Sequence, residues 1–323
     1  MSQQRSVFKA GDIGELINAM PGLFGFPPDD SLVVLGLRGP RIEFGMRLDL
    51  ADVGRTKAKI AQTADLAVSH LEHQGVEGAI VVAIGEPLAI GRRLVLTIES
   101  RLERVRPVAG GWATNNRFWV SMDGGDPDGY PYQRSLDHPA SVQAVVEGQE
   151  IALSRQAAEA ALTPVDGARR AELEAVAEVV VAELGGDLAA GSDPWMADRM
   201  ANDVVPTLHD LRDGQPVGDD QLLRLGLLMT AIRVRDQAWS LISLDNARDL
   251  VRVWLHVARH VPRDWAPPAF SLAAFAAWMC GDGAKAIMAA EQALQIDSRY
   301  SMAALMIDLA TSGVAPQRLP RMT

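Results

Sequence analysis

Apolar and polar positions follow two regimes along this chain. Up to about residue 122, short apolar or alternating runs are interleaved with segments of helical period. Ser31–Leu37 (SLVVLGL) is almost continuously apolar and Ile42–Leu50 (IEFGMRLDL) alternates, the patterns of a buried strand and a half-buried one. Only Arg38-Gly39-Pro40-Arg41 separates them, which predicts a hairpin. Ala79–Ile84 (AIVVAI) is a further buried strand. Ile60, Ala64, Ala67 and Leu71 place a helix over Thr56–His73, and Ile90, Leu94, Ile98 and Leu102 place another over Ala89–Glu103. Val105–Val108 and Arg117–Met122 read as two more strands joined through a Gly-rich turn. Together these elements predict an α/β sandwich built on a mixed sheet.

From Asp123 the pattern changes. DGGDPDGYPYQ is loop by composition, and a short helix follows near Ser141–Glu147. Thereafter the period is helical over Ala171–Leu184, Gln221–Val234, Gln237–Ile242, Ala247–His260, Ser271–Cys280, Ala284–Ile296 and Met302–Thr311. Gly185–Trp195 and Leu211–Asp220 read as polar, Gly-bearing connectors. The switch, near Pro164 and Gly167, predicts an α/β domain over residues 1–155 and an all-α domain over 156–323.

Two segments resemble known families. Gly281, Ala286 and Ala293, with Asp297 beyond, are spaced as in the second half of a tetratricopeptide repeat, where small residues let antiparallel helices approach closely. The usual aromatic signature of that repeat's first helix is missing, and no second copy follows at the repeat's spacing. Met20–Val33 (MPGLFGFPPDDSLV) followed by Arg47–Leu50 (RLDL) resembles the opening of an uncharacterised actinobacterial family, domain of unknown function 4192. Further matches are His138-Pro139, Val145–Gly148, Ser154-Arg155, Arg235-Asp236 through Trp239, Gly281–Gly283 and Tyr300, so the resemblance spans nearly the whole chain. Family members often carry a cysteine in an Asp-Pro loop after the last strand. The equivalent here, Asp126-Pro127, has none. The resemblance implies architecture and no activity.

Composition narrows the function classes. The 323 residues carry 31 basic side chains, 27 of them Arg, against 41 acidic ones, a net charge of −10. Neither half is basic: residues 1–150 hold 15 basic and 19 acidic groups, the remainder 16 and 22. General nucleic-acid binding is therefore not expected, since it rests on clustered cations. The lone Cys280 excludes an internal disulfide and a Cys-rich zinc site, and fits a reducing cytoplasm. Met1–Gly11 lacks the pattern of a signal peptide, and no apolar run reaches membrane-spanning length. The expectation is a cytoplasmic protein without membrane contact.

Signatures of common chemistry are missing from the sequence. There is no P-loop, no Gly-x-Ser-x-Gly elbow and no Gly-x-Gly-x-x-Gly after a strand, so no cofactor is expected. His256 and His260 share a helix face, as do His70 and His73, but neither pair has an evident third ligand, and Val257 stands where a zincin needs Glu. Asp123, Asp126 and Asp128 before Gly129 superficially resemble a calcium loop. In that alignment Gly124 and Ser135 fall where carboxylates are required, so a turn is the simpler reading. No metal site is expected. Arg92, Arg93, Arg101, Arg104 and Arg106, interleaved with Glu99 and Glu103, read as a solvated helix face with internal ion pairs.

Phe26-Pro27-Pro28 cannot lie inside a helix, which places Asp29, Asp30 and Ser31 at the mouth of the first core strand, where α/β folds gather ligand groups. Arg47 and Asp49 share a face of the neighbouring strand, and His138 stands beside a proline in a later loop. Asp30, Arg47, Asp49 and His138 are thus the candidate ligand-binding residues; an Arg47–Asp ion pair without catalytic geometry is expected, and no catalytic residue is assigned. The preferred function is non-catalytic binding of a protein or peptide partner on the helical domain. The alternative is an enzyme or binding protein for a small molecule at the strand mouth.

Overall fold

Two prolines, Pro27 and Pro28, end the helical segment before the first strand, a turn at Asp29 and Asp30 leads into it, and the rest of the N-terminal fold is laid down around that strand. The computed structural model describes residues 10–122 and 125–314, together with Pro316. The chain divides into two compact units, Met1–Ala158 and Glu159–Thr323.

In the first unit the order is α1 (Ile13–Ala19), α2 (Pro21–Phe24), β1 (Ser31–Arg38), β2 (Arg41–Asp49), α3 (Leu50–Val53), α4 (Lys57–Gln74), β3 (Gly78–Ile84), α5 (Leu88–Glu99), β4 (Arg106–Ala113), β5 (Arg117–Val120), β6 (Tyr130–Pro131) and α6 (Pro139–Val146). The strands form one mixed sheet in the order β2-β1-β3-β4-β5-β6. β1 runs antiparallel to both β2 and β3, whereas β3 and β4 are parallel, linked through α5. The predicted hairpin forms with Ser31 opposite Asp49 and Arg38 opposite Arg41.

β1 is buried on both faces, which is why its sequence is continuously apolar. Leu32, Val34, Val81 and Ala83 pack beneath α4 and α5, meeting Ile60, Ala64, Ala67, Leu71, Leu94 and Ile98. Val33, Leu35, Val82 and Ile84 face the opposite side, covered by Ile13, Leu16, Ile17, Met20 and Phe24 from α1, α2 and their junction. Thr56 caps α4 through its hydroxyl, and Asp12 caps α1 through its carboxylate.

Three expectations for this unit are corrected. Gly110 and Gly111, expected in a turn, lie inside β4, and the turn is Thr114–Asn116. A Cβ on Gly110 would overlap the Glu99 carboxylate and one on Gly111 the Trp119 carbonyl, so the strand needs glycine there for close approach. The helix expected over Ala89–Glu103 stops at Glu99, where Leu102 N–H bonds back to the Glu99 carbonyl in a tighter turn. Leu102 still packs into the core, so the apolar spacing alone did not reveal the stop. Glu99 does not pair with the neighbouring arginines: it accepts from the Ser121 hydroxyl at 2.7 Å, while Arg101 reaches Asp65 at 2.6 Å.

A short helix, α7 (Arg155–Ala160), contains the division between the units. The second unit contains α8 (Gly167–Ala190), α9 (Asp193–Arg199), a π-helical turn, α10 (Val205–Arg212), α11 (Asp219–Leu228), α12 (Ile232–Ser240), α13 (Ala247–His260), α14 (Ala266–Met279), α15 (Gly283–Ile296) and α16 (Ser301–Thr311). Gly185 and Gly186 do not interrupt α8, which runs on to Gly191 at φ +65°. A helical glycine costs only about 1 kcal/mol, too little to break a long packed helix. The helix expected over Gln221–Val234 is instead split, because the Thr230 hydroxyl takes the Leu227 carbonyl at 2.6 Å and Ala231 is extended. α14 begins earlier than its apolar run, since Pro267 and Pro268 fit a first turn where no N–H partner is needed.

Candidate functional site

Alternation along β1 and β2 decides what the predicted site residues can reach. Ser31 pairs with Asp49 and Val33 with Arg47, so Arg47 and Asp49 project with Val33 onto the α1–α2 face. Asp30 lies in the turn just before β1 and lines a groove with Leu50 and Ile90, which belong to the opposite, α4–α5 side. Neighbours in the sheet are thereby separated by the sheet itself.

On the α1–α2 face, the Arg47 guanidinium donates to Asp49 Oδ1 at 2.7 Å, and Arg155 donates to Asp49 Oδ2 at 2.5 Å. Arg47 lies over the buried Phe26 ring, 5.4 Å from its centre. Only 9% of the Arg47 side chain is exposed, so the carboxylate and ring replace water around it. Its Nε finds no acceptor among the described residues. The ion pair expected from the sequence is present, as a bridged Arg–Asp–Arg unit.

On the other side, Asp30 adopts φ +46°, alone among the described non-glycine residues in having a positive φ. Its carbonyl accepts from Leu50 N–H at 2.8 Å, closing the mouth of the hairpin. The residue helps line an open groove of about 390 Å³ with Leu50, Ala51, Gly54, Arg55, Glu86, Pro87 and Ile90. This groove lies beyond the carboxyl end of β3, at the first turn of α5. Glu86 already accepts the Leu88 N–H at 3.2 Å.

His138 takes a third position. Its Nδ1 accepts the Ala140 N–H at 3.2 Å and caps α6, which requires the lone pair on that nitrogen. Partial burial holds the imidazole below its usual pKa, opposed by the Glu15 carboxylate. The loop leading to His138 is tied to α1 and the β4–β5 turn: Asn18 bonds Gln133 and Ser135, and Tyr132 donates to the Thr114 carbonyl. Those bonds bring His138 toward Glu15. Arg134 from the same loop reaches Asp29 at 2.5 Å, next to Asp30. Of the four predicted residues, the structure therefore joins Arg47 with Asp49 and places Asp30 and His138 elsewhere.

Sequence reasoning missed Arg155, Glu86 and Arg55. Glu86-Pro87 directly after a predicted strand was the available signal for the groove; Arg155 had none beyond its place in the family resemblance. Glu99 was also missed. Burial lifts its carboxyl above the usual range, opposed by the Ser121 hydrogen bond.

The remaining candidates resolve individually. Asp123 and Gly124 lie outside the described residues. Arg117 binds the Asp128 and Gly129 carbonyls at 2.5 and 2.9 Å, and Trp119 Nε1 binds the Pro127 carbonyl, so β5 holds this segment as a turn. His256 and His260 stack with ring centres 4.2 Å apart, and His260 Nδ1 meets the His256 carbonyl. His70 stacks on Phe44. Among the described residues, no group of three or more His, Cys, Asp or Glu side chains is placed to hold a metal, and no helix is long and apolar enough to cross a membrane.

Compared with known proteins, the chain matches a family model described as a domain of unknown function (DUF4192) over residues 14–317. No curated protein and no solved structure matches it.

Proposed function

Because the chain belongs to the DUF4192 family of domains of unknown function, we propose from its geometry that it is a non-catalytic binding protein, taking a protein or peptide partner on its helical unit. The packing of α14, α15 and α16 carries this reading. α14 packs against both α15 and α16, and Ala286, Ala289, Ala290 and Ala293 on α15 are fully buried. Asp282 caps α15 through Lys285 N–H and sets the tight turn after α14. A helix that touches both its successor and the next one is the arrangement of stacked hairpins, whose surfaces commonly take partners. This supports the tetratricopeptide-like description of the segment. Leu305 on α16 and Ile232 on α12 are half or more exposed, which makes them positions where a partner contact can be tested without disturbing the core. A cytoplasmic setting is part of the proposal, supported by a single unpaired cysteine.

The test is quantitative affinity capture with the full chain, comparing wild type with Leu305→Asp and Ile232→Asp. Both positions are exposed, so folding should persist. A partner retained by wild type and lost from a variant supports the reading; identical captured sets for all three proteins refute it.

The groove favours a second reading, a small-molecule site. Asp30, Glu86 and Arg55 converge there over the apolar floor of Leu50 and Ile90. A metabolite that stabilises wild type but not Arg55→Ala or Glu86→Gln would move the assignment to this site.

A further inference from the structure

The groove at the mouth of the first hairpin is lined by charges of both signs that do not neutralise one another. Asp30, Glu86 and Arg55 stand around Leu50, Pro87 and Ile90. Arg55 gives its Nε to the Ala51 carbonyl at 2.7 Å, and no carboxylate of the described residues pairs with its guanidinium. Glu86 commits Oε2 to the Leu88 N–H and keeps its other oxygen. Opposite charges left apart in one groove define a gap that a ligand carrying both charges closes.

Two glycines hold the groove in this shape. A Cβ on Gly85, at φ +125°, would stand 2.4 Å from Asp30 Oδ1, so the Asp30 carboxylate lies against the backbone at the end of β3, beside Glu86. A Cβ on Gly54 would stand 2.2 Å from Ile90 Cγ2, so glycine there brings the first turn of α5 against the end of α3. Leu50 and Ile90 both pack on the core beneath, which fixes the floor in advance.

The charges select the ligand. A phosphate or a dicarboxylate would meet two carboxylates and a single cation, and a plain amine would leave Arg55 opposing it. A zwitterion satisfies both ends: an ammonium has three donors for two carboxylates, and a carboxylate suits the Arg55 Nη groups. The floor is aliphatic, and no aromatic ring lines the groove to stack on a flat ligand.

We propose that the groove binds an aliphatic α-amino acid as its zwitterion, the ammonium shared by Asp30 and Glu86, the carboxylate on Arg55 and the side chain over Leu50 and Ile90. The proposal rests on the small-molecule reading of this groove and names the class of ligand.

The experiment titrates full-length protein calorimetrically with L-leucine, with isopentylamine, which is leucine without its carboxylate, and with 4-methylpentanoate, which is leucine without its amine. L-leucine should bind at one site, at least about tenfold more tightly than either fragment. Arg55→Gln should weaken L-leucine at least about tenfold without weakening isopentylamine, and Asp30→Asn, where asparagine tolerates the positive φ, should weaken both. Asp30→Asn/Glu86→Gln should reverse the preference and admit 4-methylpentanoate. All three side chains are exposed, so the melting temperatures of the variants without ligand should match wild type. Binding of L-leucine that none of these variants changes would overturn the proposal. So would tighter binding of L-lysine, which would place separate ammonium groups on the two carboxylates. Failure of L-leucine beside a singly charged metabolite that binds wild type and not Glu86→Gln would remove the zwitterion and leave the small-molecule reading standing; a metabolite screen without any binding would remove both.

Discussion

Replacing Ala286 or Ala293 by leucine tests whether the helical unit is held by close helix approach. Both alanines, with Ala289 and Ala290, are fully buried on the face α15 turns to its neighbours, and α14 answers with Ala273, Ala276 and Ala277, also fully buried. Alanine methyls on both sides let helix axes approach toward the short end of the usual range, ~8 Å. Leucine adds three carbons where no void is left, and its helix propensity is close to that of alanine, so the effect reads as packing alone. Overpacking of this kind costs about 1–3 kcal/mol. For a unit of this size, a cost of about 2 kcal/mol lowers the unfolding midpoint by roughly 4–8 °C. Calorimetry should resolve that shift, with Ala304→Leu on the exposed side of α16 as the control that leaves the midpoint unchanged. If Ala286→Leu and Ala293→Leu melt with wild type, the close-packed hairpin is wrong.

Gly110→Ala drives a methyl into the Glu99 carboxylate and the Ser121 hydroxyl, and should destabilise the first unit by about 1–3 kcal/mol in urea. Glu99→Ala in the same chain should recover most of that loss; no recovery would mean that the strand needs glycine at this position for another reason. Partial burial, then the mutual proximity of the rings and nearby Arg259 and Arg169, hold His256 below the usual imidazole pKa; burial, Arg259, Arg169 and Arg170 do so for His260. Above about pH 6.5 both rings are neutral folded and unfolded; below it the unfolded chain takes up protons that the folded rings resist, so stability should fall with pH. Urea midpoints of the helical unit measured from neutral to mildly acid pH should therefore decline less steeply for His256→Gln/His260→Gln than for wild type, and parallel curves would contradict this.

The strands of the first unit were legible because each carries its own burial record. SLVVLGL is apolar after its first residue and AIVVAI throughout since both faces of β1 and β3 are covered, and the four-residue link left a hairpin as the simple connection. The helical character of the second half was equally local, and Ala247–His260 coincides with α13. The sequence also located the Arg47–Asp49 pair, two residues apart on one strand face. Only the tertiary structure decided the rest. Gly110 and Gly111 have turn chemistry in isolation, and it is the approach of Glu99 and Trp119 that makes them strand residues. Gly185 and Gly186 signal a connector, yet the packed helix outweighs their modest cost. The candidate site shows the same division most clearly. Proximity in the hairpin pointed to one cluster, but Asp49 follows the alternation of β2 onto the α1–α2 face, while Asp30, turned at φ +46° before β1 begins, lines the groove beside Leu50 and Ile90. His138 went to Glu15 because its loop is held there by Asn18, 115 and 117 residues from its partners Gln133 and Ser135, and by Tyr132, 18 residues from Thr114. Bonds between positions so distant have no signature in local pattern, and they exist only once the chain has folded.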